Sequence, residues 1–88
     1  MPDYTITFAR SARKELEKLP PPIAERIFVR IEALATNPRP AGSLKLKGED
    51  HLWRIRVGDY RVIYGIRDRE WIVDVSIVRH RKDVYRDI

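Results

Sequence analysis

The chain has 88 residues, with 18 Lys or Arg against 13 Asp or Glu, a net charge of +5 and an isoelectric point near 9.9. A chain this short buries only roughly 60–65% of the surface its unfolded form exposes, so one domain over residues 1–88 with a thin core is expected. The absence of cysteine excludes disulfides and thiolate metal sites, and is compatible with a reducing cytoplasm. "MPDYTITFARSARKEL" meets charge before any useful apolar run, so it does not resemble a signal peptide. No stretch approaches the ~18 apolar residues of a bilayer span. A soluble, cytoplasmic protein with no membrane partner is expected, and its basic balance points to a polyanion, nucleic acid first.

"YTITF" (Tyr4–Phe8) alternates and is rich in β-formers, which predicts a first strand. "ARSARKELEKL" then turns helical, with Ala9, Ala12, Leu16 and Leu19 on one side and Arg13, Lys14, Glu17 and Lys18 outward. Pro20, Pro21 and Pro22 end it, because proline lacks the helical donor and restricts its predecessor. A second helix is expected from about Pro22 to Thr36, with Ile23, Ile27, Ile31 and Leu34 as its stripe, widened by Ala24, Phe28 and Ala35. "NPRPAG" closes it. Four strand-like runs follow: "SLKLKG", "HLWRIRV", "YRVIYGI" and "WIVDVSIV". The order predicts an α+β fold, an antiparallel sheet of four to five strands with both helices on one face.

Gly58-Asp59 separates two alternating runs, as a two-residue hairpin loop does. That register pairs Val57 with Tyr60, Ile55 with Val62 and Trp53 with Tyr64, and opposed residues share a face. Trp53, Ile55, Val57, Tyr60, Val62, Tyr64 and Ile66 then form the face the helices cover. Arg54, Arg56 and Arg61 point the other way, with Arg56 directly across from Arg61. On a half-covered sheet they read either as ordinary solvated side chains or as a phosphate-binding surface. Their grouping favours the second, since like charges placed opposite each other destabilise a sheet and guanidinium forks bind phosphate oxygens bidentately.

A second two-residue loop at Asp68-Arg69 would extend the apolar face, with Arg67 facing Glu70 as an ion pair. Ile66 would then meet Trp71, Tyr64 meet Val73, Val62 meet Val75 and Tyr60 meet Ile77. Beyond that strand stands "RHRKDVYRDI". His80 has the parity of Ser76 and Val78, so a straight strand would point it to the arginine face. Histidine changes charge near neutral pH. Tyr85 is placed to swing back over the cations, which would favour its phenolate; a basic tail with Tyr85 anchored in the core is the plainer alternative. Trp53 and Trp71 read as core by register, and His51 carries no assignment. The chain shows no Gly-rich phosphate loop, paired-carboxylate motif or metal-ligand spacing.

"LWRIRVGDYRVIY", followed after a hairpin by "VSIVRHRKDVYR", resembles the RelE/ParE superfamily of toxin–antitoxin toxins, the RelE branch in particular. The likeness extends to "ARKELEKLP" in the first helix and "LKLKG" before the hairpin, and covers nearly the whole chain. It implies a microbial-ribonuclease-like fold and a small endoribonuclease that cuts mRNA in the ribosomal A site, without metal or other cofactor. It also implies a cognate antitoxin as partner. The family's basic pair on the first hairpin strand falls on Arg54 and Arg56, its strand arginine on Arg61, the basic residue after the last strand on Arg81 and its C-terminal tyrosine on Tyr85.

The family often carries lysine where Arg54 and Arg56 stand. Arginine holds its proton and is a poor proton shuttle, so these two would bind phosphate and acid–base duty would pass to His80 or Tyr85. Arg81 has the parity of the core face and would have to reach the site from beyond the strand. The expected reaction is attack of a ribose 2′-OH on the adjacent phosphate, with Arg54, Arg56, Arg61 and Arg81 stabilising its charge. The alternatives are a ParE-like inhibitor of DNA gyrase with no chemistry of its own, and a non-catalytic RNA-binding module.

Overall fold

The computed structural model describes residues 3–82. The chain runs β1 (Thr5–Phe8), α1 (Arg10–Lys18), α2 (Pro21–Ala33), β2 (Leu44–Lys45), β3 (Leu52–Val57), β4 (Tyr60–Arg67) and β5 (Ile72–His80). Proline separates the helices as the sequence requires: α1 stops before Pro20, and Pro21 and Pro22 occupy the first turn of α2, where no backbone N–H is needed.

The five strands lie in the order β1-β5-β4-β3-β2. The sheet is mixed rather than wholly antiparallel, because β1 enters at the edge beside β5 and runs parallel to it, Thr5 opposite Ile72 and Phe8 opposite Val75. The helices pack on one face, α1 over β5 and α2 over β3. Ala12, Ile27, Ile31 and Leu34 meet Ile55, Val57, Val62, Tyr64, Ile66, Val73, Val75 and Val78 in one core. Each fully buried aliphatic side chain there contributes roughly 1.5–3 kcal/mol. Phe28, expected to widen the α2 stripe, is 43% exposed instead.

The β3–β4 hairpin has the register read from the sequence, Trp53 opposite Tyr64, Ile55 opposite Val62 and Val57 opposite Tyr60. Gly58 at φ +59° supplies the positive φ of its two-residue turn. Asp59 is not in the left-handed region, which makes this a type II′ turn with glycine at its first central position.

The β4–β5 hairpin differs. Its loop holds four residues, Asp68 to Trp71, and Arg67 pairs with Ile72. The register is therefore displaced by two residues, Ile66 opposite Val73 and Tyr64 opposite Val75, which leaves the core parity intact. Between these pairs and Ile63 opposite Ile77, the bulged Ser76 shifts it by one more. That single residue turns the end of β5 over. Trp71 is pushed out of the core, 43% exposed, at a left-handed φ of 57°, packed 5.0 Å from the Tyr4 ring. The Arg67–Glu70 pair does form, at 3.6 Å, but within the loop rather than across a ladder.

Candidate functional site

Alternation along β3 and β4 carries Arg54, Arg56 and Arg61 to the outer face, away from both helices, while Trp53, Ile55, Val57, Tyr60 and Val62 pack with the core. Arg56 stands directly across from Arg61, and Arg61 directly across from Arg79. Cross-strand neighbours of this kind have Cα atoms about 4.5–5.5 Å apart. Three guanidinium groups thus form one row across β3, β4 and β5. Arg54 lies one row further along, beside Ile63, which is fully buried although it lies outside the helix-side core.

Two of the row's side chains are steadied by the turn they flank. Arg56 Nε donates to the carbonyl of Gly58 at 3.3 Å, and Arg61 Nη1 donates to the carbonyl of Tyr60 at 3.4 Å. A guanidinium presents five donors in a planar arrangement. Fixed cations on adjacent strands suit a phosphate, whose oxygens accept from planar forks in pairs.

The sequence alone does not mark Arg79 as a site residue. A straight β5 hides it on the core face, and only the bulge at Ser76 brings it beside Arg61. Two neighbouring apolar residues, Ile77 and Val78, were the available signal. In an alternating strand they must face opposite ways, and Ile77 takes the outer face opposite Ile63 while Val78 meets Val62 in the core.

The same bulge reverses one expectation. His80 does not point to the arginine face. It pairs with Tyr60 and sets its ring edge-on to the Tyr60 ring, 5.5 Å between centroids and 81° between planes. Its Nδ1 accepts from the backbone N–H of Lys82 at 3.3 Å. Arg81 lies in a turn beyond the end of β5, where its backbone N–H donates to the Asp59 carbonyl at 2.7 Å. Tyr85 lies outside the described residues.

The family model described as the ParE toxin of the type II toxin–antitoxin system parDE matches residues 6–85. The chain is 34% identical to toxin RelG of Mycobacterium tuberculosis over 84 residues, covering 94% of this chain and 97% of that protein. It is 35% identical to toxin RelE3 of Methanocaldococcus jannaschii over 85 residues, covering 91% and 93%. Among solved structures, the archaeal RelE–RelB complex from Pyrococcus horikoshii superimposes with a TM-score of 0.80 at 27% identity, covering 90% of this chain and 96% of that one. The α+β layout of two helices on a five-stranded mixed sheet is thus that of a RelE toxin, and the chain belongs to the RelE/ParE superfamily of type II toxin–antitoxin toxins, on its RelE branch.

Proposed function

We propose that this toxin is an endoribonuclease that cuts mRNA on the ribosome, at the A site, and that a cognate antitoxin neutralises it. The observation that carries the reading is the row Arg56–Arg61–Arg79, with Arg54 beside it and Arg81 in the turn just after β5. In the proposed reaction the ribose 2′-OH attacks the adjacent phosphorus, the bond to the 5′ oxygen breaks, and a 2′,3′-cyclic end and a free 5′-OH result. The arginines act on the negative charge that builds on the phosphate oxygens, which fixed donors stabilise without reorganising.

Proton transfer falls to Tyr85. His80 is turned toward Tyr60, on the opposite side of the sheet from the row, and arginine does not release its proton near neutral pH. A phenolate at Tyr85, favoured by neighbouring cations, would accept the 2′-OH proton, and a water would protonate the leaving oxygen. The antitoxin reading is supported by a structural relative being a complex of RelE with RelB. A segment bearing carboxylates would neutralise the row and deny it to RNA.

The matching family model carries the ParE description, so inhibition of DNA gyrase without chemistry is the second reading. One experiment separates them. After induced expression, primer extension on a translated message should show new 5′ ends within codons, while gyrase supercoiling stays normal. Inhibited supercoiling with an intact message would replace the ribonuclease reading with the gyrase one.

A further inference from the structure

Two rows beyond the arginines on the same outer face, Leu52, Gly65, Asp74 and Thr7 lie side by side across β3, β4, β5 and β1. A trough of about 640 Å³ opens there, lined by Gly65, Asp74, Ser76 and His51 and by the mixed charges of Arg67 to Glu70. Gly65 sits inside β4 in ordinary strand conformation, since the left-handed glycines are Gly42, Gly48 and Gly58. An added Cβ would meet only the His51 carbonyl oxygen at 3.7 Å and Leu52 Cδ2 at 3.8 Å, both ordinary contacts. The backbone therefore does not require glycine here, and glycine weakens a strand interior. A strand glycine marks a bulge, and one lies beside Tyr64, or a close approach by a ligand or another backbone; the open trough along Gly65 fits the second.

Asp74, directly across from Gly65, is held in place. Thr7 Oγ1 donates to its Oδ1 at 2.8 Å in a half-buried setting. The carboxylate is thereby oriented beside the bare backbone of Gly65, with acceptor capacity remaining. Gly65 is four residues from Arg61 along β4, or about 13 Å, so one RNA strand can cover both.

We propose that this trough is a nucleobase subsite that selects a base carrying an amino group. The inference rests on the RNA-cleaving reading above and adds to it the residues that choose among bases. The flat ring lies over Gly65, where any side chain would block it, and the amino N–H of adenine, cytosine or guanine donates to Asp74. Uracil has a single N–H between two carbonyl oxygens, and a carboxylate repels those oxygens. Ser76, whose hydroxyl both donates and accepts, stands at the bulge beside the same edge.

The test is an amide NMR titration of the full-length protein with AMP, CMP, GMP and UMP, followed by mapping of cleavage sites on a translated message. The backbone signals of Gly65, Asp74 and Ser76 should respond to the first three nucleotides at concentrations about tenfold lower than to UMP, the worth of one hydrogen bond to a charged group. Asp74→Asn should erase that preference, because an amide both donates and accepts. Gly65→Val should remove the response to all four nucleotides while the rest of the spectrum stays folded. The cleavage profile should lose its bias against uracil in Asp74→Asn. No response in the trough with any nucleotide, or an equal response to UMP, overturns the subsite, as does an unchanged preference in Asp74→Asn. Failure of the wild type to cut a translated message, with the trough still discriminating, would instead overturn the ribonuclease reading and leave a base-binding site.

Discussion

Arg61 on β4 and Arg79 on β5 are direct cross-strand partners, although nothing in the alternation of "IVDVSIVRH" places them together. Like charges set directly opposite each other do not stabilise a sheet as favourable cross-strand pairs do. Three guanidinium-bearing residues side by side on the outer face suit an anion outside the fold. Arg79→Ala should leave the protein folded, with a stability change of about 1 kcal/mol or less, an ordinary effect for a point substitution, read as the urea midpoint. It should also lower cleavage of a translated message about 10²–10³-fold, the usual effect of deleting one donor to a developing oxyanion. Cleavage at the wild-type rate in a folded Arg79→Ala protein would remove Arg79 from the proposed site. Loss of folding would make it a structural residue.

How far these relationships were legible depends on the element. The β3–β4 hairpin was readable because strict alternation on both sides of Gly58-Asp59 admits one register, and a slip would expose Ile55, Val57 and Val62. The same argument allowed the β4–β5 pairing to move by two residues without penalty, since Val73 and Val75 keep their core parity either way. Whether Asp68-Arg69 or Asp68 to Trp71 forms the loop was therefore open to error. The bulge at Ser76 was harder still. Its only trace is the apolar pair Ile77-Val78, and it decides whether Arg79 or His80 joins the row. The parallel placement of β1 depends on which edge it reaches after the chain has folded back, and "YTITF" carries no sign of that.

A clamp at the other end of the sheet should be visible in acid. Arg39 donates twice to Asp68, at 3.2 and 2.9 Å, Tyr4 donates its hydroxyl to the same carboxylate at 2.6 Å, and Arg39 also lies 5.3 Å over the Trp53 ring. The Arg39 bonds first, then that of Tyr4, pull the Asp68 carboxyl from its ordinary 3.8 to about 2. A depressed carboxyl stabilises the fold fully above the unfolded value and loses that contribution as pH falls through the folded one. Both partners are substantially exposed, 41% and 55%, so the pair is worth at most about 1 kcal/mol. Asp68→Asn should be destabilised by up to that amount at pH 7, and the gap from wild type should close as pH falls from about 4 to about 2. A gap of constant size across that range, measured by urea unfolding, would show that the charge is irrelevant.

Tyr64 gives the opposite limb. It is fully buried, and its hydroxyl donates to the Pro38 carbonyl at 2.7 Å, tying the loop after α2 to the sheet. Burial pushes the phenol up to about 12. A raised phenol is neutral in the fold while the unfolded chain ionises, so stability present below about 10 should fall as pH rises from about 10 to about 12. Tyr64→Phe leaves a buried carbonyl without its donor and should cost about 1–3 kcal/mol at neutral pH. It should also lose this alkaline decline. Equal stability of Tyr64→Phe and wild type at pH 7 would mean that solvent replaces the bond freely.

The two candidates for proton transfer now differ by face, and substitution should separate them. Ser76 turns β5 so that His80 meets Tyr60 on the helix side; a proton would have to cross the sheet to reach a phosphate on the row. His80→Gln should therefore cleave a translated message within about twofold of wild type, with at most a small stability change from the lost ring contact. Tyr85→Phe removes the only side-chain oxygen proposed to take the 2′-OH proton, and should lower cleavage about 10²–10⁴-fold, the usual contribution of a general acid or base. Ribosome binding should survive in both variants, because Arg54, Arg56, Arg61, Arg79 and Arg81 are unchanged. A large loss in His80→Gln with normal cleavage in Tyr85→Phe would reverse the assignment, and would require β5 to untwist its bulge when RNA is bound. Wild-type cleavage in both would leave the transfer to water positioned by the arginines alone.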